Sequence, residues 1–208
     1  MRVFMWVPTT LVVMMALTGC SAGALAPATS SAAAGSTRAL DQASLRSLVP
    51  SSKAAGDAVG TYLSLEGNLL TRARSTASPK PTIGLTRCEL SLNEWTYPPY
   101  SEVVQQTYNG PDGLYALLYY RFASDLTAAA YVKATTNVGK YCSSVPSSGV
   151  AAWDNGIPNT VGFSRTKNST EQLTFFRQGK IVAGVDGASQ ELTTKLLQLQ
   201  IRTIAAVK

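Results

Sequence analysis

Histidine is absent from all 208 positions of this chain, which removes Ser-His-Asp and Cys-His nucleophilic chemistry together with the commonest metal ligand. Hydroxyls, carboxylates, amines, tyrosines and three cysteines remain. Ser164-Arg165-Thr166-Lys167 has the S-x-x-K spacing in which a lysine one helical turn on activates a serine. It falls in a stretch that reads as a strand, where residues three apart point to opposite faces, and neither S-D-N nor K-T-G follows. Glu89 and Glu94 lie near Trp95 and offer a carboxylate pair of the kind glycoside hydrolysis uses, although a solvated face is the simpler reading. Asp154-Asn155-Gly156 lacks the alternating ligands and terminal Glu of a calcium loop and reads as a turn. No catalytic residue, metal site or cofactor is expected. The chemistry that survives is binding: Tyr115, Tyr119 and Arg121, with Gln106, can stack on and hydrogen-bond a ligand if their sheet face is open. If an amphipathic helix covers that face, the same residues become core.

The cysteines divide by position. Cys20 closes Leu17-Thr18-Gly19-Cys20, behind Met1-Arg2 and the apolar run from Val3 to Leu17. This resembles the lipobox of bacterial lipoproteins: a positive start, an apolar stretch and a small-residue cleavage site whose cysteine carries the lipid. The run is shorter than the roughly 20 apolar residues a spanning helix needs, and Pro8 interrupts it. The resemblance implies a signal peptide over residues 1–19, acylation of Cys20, and anchoring to the cell membrane on the extracytoplasmic side. Loss of Met1 to Gly19 leaves 17 basic and 12 acidic residues, a net of +5. The basic residues are scattered, with no nucleic-acid-binding run, so the balance favours anionic headgroups or envelope polymers. Residues 20–39 are small, polar and nearly uncharged, a flexible tether reaching about 25 Å on average.

Residues 40–208 read as a single α+β domain: an antiparallel sheet of about five to six strands with helices packed on it. Asp41 is placed to cap a first short helix bearing Leu45, Leu48 and Val49, which Pro50 stops; Ser51 or Ser52 caps a second that ends at Gly60. Tyr62 to Leu70 reads as a strand, Arg72 to Pro81 as an exposed loop. Glu102 to Tyr108 and Leu114 to Phe122 flank Asn109-Gly110-Pro111-Asp112-Gly113 and form a hairpin. In its second strand Ala116, Leu118, Tyr120 and Phe122 share the expected core face, and Tyr115, Leu117, Tyr119 and Arg121 the other. Ser124 caps a helix from Asp125 to about Tyr141, interrupted late by Gly139, and residues 145–158 form a turn-rich connection. Strands follow over Thr160 to Lys167, Glu171 to Arg177 and Lys180 to Asp186, the last two joined at Gln178-Gly179 so that Phe176 pairs with Ile181. Ser189 caps a final helix from Gln190 to about Val207. With Cys20 committed to lipid, Cys88 and Cys142 remain as a pair in an oxidising compartment; lacking a C-x-x-C spacing, they are predicted to form one structural disulfide rather than free thiols or a redox centre.

The order of these elements resembles the PknH-like extracellular sensor domain family. The matching residues are LRSLVPSSKAAGDAVG (Leu45 to Gly60), Cys88, and RFASDLTAAAYVKATTNVGKYC (Arg121 to Cys142), followed by paired strands and a C-terminal helix. The family domain usually has a second disulfide, for which this chain has no cysteine after Cys142. The resemblance implies a solvent-facing cleft for a small-molecule or polymeric envelope ligand, without catalysis. Expected partners are thus the membrane through the lipid and an envelope ligand, and not nucleic acid. A structural or adaptor lipoprotein, touching another envelope protein through an exposed apolar patch, is the alternative. A cell-wall hydrolase comes third and requires a carboxylate pair in a cleft with one raised pKa.

Overall fold

A computed structural model of the chain describes residues 44–73, 88–90, 92, 100–166 and 170–207. The N-terminal run with Cys20, the Asp41 cap, most of the 72–81 loop, Glu94, Trp95 and Lys167 to Ser169 lie outside them. Seven strands form one antiparallel sheet: β1 Ser64–Ala73, β2 Tyr100–Gly110, β3 Gly113–Phe122, β4 Val150–Trp153, β5 Gly162–Arg165, β6 Glu171–Gln178 and β7 Ile181–Gly187. Their order is β1-β2-β3-β7-β6-β5-β4, so β3 and β7 sit side by side at the centre. Helices α1 (Ser52–Val59), α2 (Asp125–Ser143) and α3 (Gln190–Ala205) pack on it, and Leu45–Leu48 forms a single 3₁₀ turn where a short helix was expected. Strand β4 is the addition to the predicted set. Four residues with two exposed alanines carry too little alternation to be read from the 145–158 stretch.

The hairpins follow their turn chemistry. Gly110 pairs with Gly113 across Pro111-Asp112, and Gly113 takes a φ of 142° that other residues rarely adopt. Between β6 and β7 the turn is Gly179-Lys180, with Gly179 at φ 56°, so Gln178 pairs with Ile181 and Phe176 with Ala183. The expected Phe176–Ile181 pairing is corrected because the positive φ falls on the first turn residue, which moves the turn one position along the chain. The caps match the sequence: Ser51, Ser124 and Ser189 each accept a backbone N–H in the first turn of their helices, and Gly60 closes α1 in the left-handed conformation.

Both faces of the sheet are core. On one, Val104, Tyr108, Tyr115, Leu117, Tyr119, Ile181, Ala183 and Val185 pack with Leu45, Leu48, α1 and the α3 residues Leu196, Leu197 and Ile204. On the other, Val103, Leu118, Tyr120, Phe122, Leu173, Phe175 and Val182 pack with α2 and with Cys88 and Leu92. Cys88 and Cys142 form the predicted disulfide, which fastens the 88–92 segment to the end of α2. α2 passes unbroken through Gly139 because the Phe163 ring lies against the bare Cα; a Cβ there would sit 2.5 Å from ring atoms.

Candidate functional site

Tyr115, Tyr119, Arg121 and Gln106 do share one face, as alternation requires, but that face is closed. Tyr115 and Tyr119 are fully buried and Gln106 nearly so, because α3, the 3₁₀ turn and α1 lie across them. The Tyr115 hydroxyl bonds Asp112 Oδ1 at 2.5 Å and Ser189 Oγ at 3.1 Å, tying the hairpin turn to the α3 cap. Tyr119 faces the Gln200 side chain, whose Nε2 donates to the carbonyls of Leu118 and Gly184, both at 3.2 Å. Gln106 Nε2 donates to the Thr107 carbonyl, and Arg121 lies 3.8 Å from Glu102. Burial, with the Asp112 bond behind it, raises the Tyr115 pKa to about 12; burial also raises Tyr119. The groove expected at Tyr115 and Tyr119 is therefore replaced by helix packing, and these side chains position structure.

The concave surface lies on the opposite face. α2 covers β6, β7 and the Phe122 end of β3, leaving the hairpin end of that face open. Register sets the floor there: Thr107 pairs with Ala116 and Ala116 with Asp186, so the three form a row across β2, β3 and β7. Gln105 flanks the row, Asp112 and Gly113 close one end, and Thr170 and Glu171 form the far wall of a cavity of about 640 Å³. The small side chain of Ala116 between Thr107 and Asp186 keeps the floor low.

Asp186 is half-buried, and its pKa rises from 3.8 to about 7, first through burial and then through the charge of Glu171. Glu171 is itself held in place. Its carboxylate accepts the Leu92 N–H at 3.0 Å and lies 3.9 Å from Nη1 of the buried Arg165, whose Nη1 and Nη2 donate to the carbonyls of Leu90 and Glu89. Cys88, fastened by the disulfide, thus precedes the Glu89 and Leu90 carbonyls that Arg165 reaches, and Leu92 supplies the N–H that Glu171 accepts. The site can hold a proton or a positive charge near neutral pH and offers amide and hydroxyl groups beside it.

Other sequence candidates resolve individually. Ser164 lies in β5 with its hydroxyl donating to the Ala151 carbonyl at 3.3 Å, while Arg165 beside it points to the other face; Lys167 is outside the described residues. Glu89 meets Arg165 through its backbone carbonyl, and Glu94 is outside the described residues. Asp154-Asn155-Gly156 is a turn: Asp154 and Asn155 accept the N–H groups two residues on, and Asn155 Nδ2 reaches Thr174 in β6. No group of three or more metal-ligating side chains occurs among the described residues. Asp186 escaped the sequence reading, yet one signal pointed to it: it continues the Val182, Gly184 face of β7 as an acid at an inward-facing position.

No protein-family model matches the chain, and no curated protein matches it in sequence. In structure it is similar to the extracellular domain of PknH from Mycobacterium tuberculosis, with a TM-score of 0.55 and 15% identity, covering 78% of this chain and 94% of that one. A GTP-binding regulator from Thermotoga maritima matches at a TM-score of 0.37 and 14% identity, over 77% of this chain and 92% of that one. The first of these shows a shared fold: the chain has the architecture of the PknH extracellular domain.

Proposed function

We propose that the chain is a lipid-anchored, extracytoplasmic, sensor-like lipoprotein whose domain binds a ligand without transforming it. The observation that carries this reading is the likeness to the PknH extracellular domain. The disulfide and the Leu17-Thr18-Gly19-Cys20 stretch agree with the same compartment. The ligand surface is the groove over Thr107, Ala116 and Asp186 in place of the covered tyrosine face. Anchoring is tested by metabolic labelling with an alkyne fatty acid and by intact mass. Acylated Cys20 at the mature N-terminus is expected, and an unmodified Cys20 in the mature chain would overturn it.

A second reading, the cell-wall hydrolase, gains support from Asp186, whose raised pKa beside Glu171 supplies one of the two groups such an enzyme needs. Geometry favours binding. Asp186 pairs with Leu173, so Glu171 stands diagonally beside it on the same sheet face, whereas hydrolysis places its two carboxyls on either side of the scissile bond. Release of soluble fragments from purified cell wall, lost in Asp186→Asn, would establish the enzyme. The adaptor reading has Tyr62, Leu65 and Leu70 as exposed apolar side chains along and beside edge strand β1. It predicts that Leu65→Glu with Leu70→Glu abolishes cross-linking of the tethered protein to an envelope partner.

A further inference from the structure

Strand β1 ends the sheet on one side, and among the described residues β2 is its one neighbouring strand. It runs for ten residues, SLEGNLLTRA, with neither the proline nor the lysine that ordinarily protects an edge. Leu65 on it is 54% exposed and Leu70 49%, and Tyr62 just before it is 82% exposed. The opposite edge differs: β4 has four residues, too short to template a strand of that length. Contact of β1 with β4 of another copy would be head to tail and mismatched, whereas β1 against β1 closes on itself.

The charges of β1 fit the closed arrangement. Glu66 pairs with Thr107, Leu70 with Gln105 and Arg72 with Val103, so all three belong to one face, the side on which α2 packs. Glu66 and Arg72 are exposed, opposite in sign and equally far along the chain from Leu69. Antiparallel pairing of two β1 strands about a twofold axis at Leu69 therefore sets Glu66 opposite Arg72 of the second copy, and Arg72 opposite Glu66 of the second copy. A bulge blunts an edge when it interrupts the paired segment. The bulge between Glu66 and Leu70, with Gly67 at φ 69°, falls beside that axis and leaves residues 64–66 and 70–72 regular on either side.

We propose that β1 is a self-association surface, on which two copies of this chain join edge to edge in an isologous dimer fixed by two pairings of Glu66 with Arg72. This names the partner in the adaptor reading above, and it draws on the anchored reading only for the shared membrane. A twofold axis perpendicular to the sheet keeps the α1 and α3 faces of both copies on one side. The 3₁₀ turn Leu45–Leu48 packs on that face, so both chains enter the domain from the same side, as two copies anchored in one bilayer require. Confinement to the bilayer raises the effective concentration, so an edge of this size suffices.

The test is fluorescence energy transfer between full lipidated chains labelled at the C-terminus with donor or acceptor, in phosphatidylcholine vesicles dilute enough that random proximity gives none. Wild-type copies are expected to show transfer. Glu66→Arg and Arg72→Glu each set like charges opposite one another twice, and each alone is expected to lower the paired fraction at least tenfold. Donor-labelled Glu66→Arg mixed with acceptor-labelled Arg72→Glu restores opposite charges at both positions and is expected to regain the wild-type transfer. That regain separates pairing from a folding defect, because both variants must be folded to pair. No transfer between wild-type copies, transfer that survives either substitution alone, or a mixture that stays without transfer would each overturn the proposal. Cross-linking at β1 to a different envelope protein, with no second copy bound, would overturn it too and leave the adaptor reading standing. Acylation of Cys20 is read separately, so the anchored reading is judged on its own.

Discussion

At Asp186 the linkage between protonation and folding has a definite sign. Below about pH 3 the carboxyl carries its proton in the folded and the unfolded chain and contributes nothing. As pH climbs from 3.8 towards 7 the unfolded chain releases the proton while the folded chain keeps it, so stability falls, and above about 7 the loss is complete. The full span is on the order of 4 kcal/mol at 1.36 kcal/mol per pKa unit. Asp186→Asn should therefore raise stability by about 1–3 kcal/mol at pH 8 and leave it nearly unchanged near about pH 3. Urea unfolding at the two pH values decides this, and an equal gain at both would assign the effect to packing instead. The tyrosines offer a contrast at the same scale. Tyr115→Phe removes two hydrogen bonds that join the hairpin turn to the α3 cap and should cost about 1–2 kcal/mol. Tyr119→Phe removes a buried hydroxyl that has no hydrogen-bond partner and should leave stability unchanged or raise it by up to about 1 kcal/mol.

Among the elements, α2 and the 88–92 segment decide what the groove face looks like. Alanine ordinarily favours a helix interior over glycine by about 1 kcal/mol. At Gly139 the sign reverses, because the Phe163 ring of β5 occupies the space a Cβ needs. Gly139→Ala is expected to destabilise by about 1–3 kcal/mol, and Phe163→Leu in the same chain should recover part of it, a coupling that thermal unfolding of the single and double variants measures. The disulfide closes a separation of 54 residues and so contributes about 4 kcal/mol in the chain-entropy model. Its second effect is local: it holds the backbone that supplies the Leu92 N–H to Glu171 and the Glu89 and Leu90 carbonyls to Arg165. Cys88→Ser with Cys142→Ser should therefore lower the unfolding temperature, which thermal melting of the folded variant measures. An unchanged unfolding temperature would show that Arg165 and Glu171 keep their places without the bridge.

For the molecule as a whole, the sequence-legible features were those written in short stretches. Serine before an apolar period gave the helix starts at Ser51, Ser124 and Ser189, and glycine in a polar cluster gave the two hairpins; an odd cysteine left over from Cys88 and Cys142 gave the disulfide. The register of the β6–β7 hairpin needed the φ of one residue, Gly179, and β4 needed a neighbouring strand to become a strand at all. The site was another matter. Alternation along β3 separated Tyr115, Leu117 and Tyr119 from Ala116, Leu118 and Tyr120, but both sets are rich in apolar side chains, and nothing local says which will be covered more completely. That depends on where α2 and α3 come to rest, and they pack on opposite faces of the sheet. By itself the sequence determined the kinds of element, their order, the paired cysteines and the apolar start that ends at Cys20. The tertiary structure alone decided that α3 seals the tyrosine face and that α2 stops short of the hairpin end, because burial of an amphipathic surface is settled between elements and not within them. The acid left at that open end, Asp186, is where the groove acquires its chemistry.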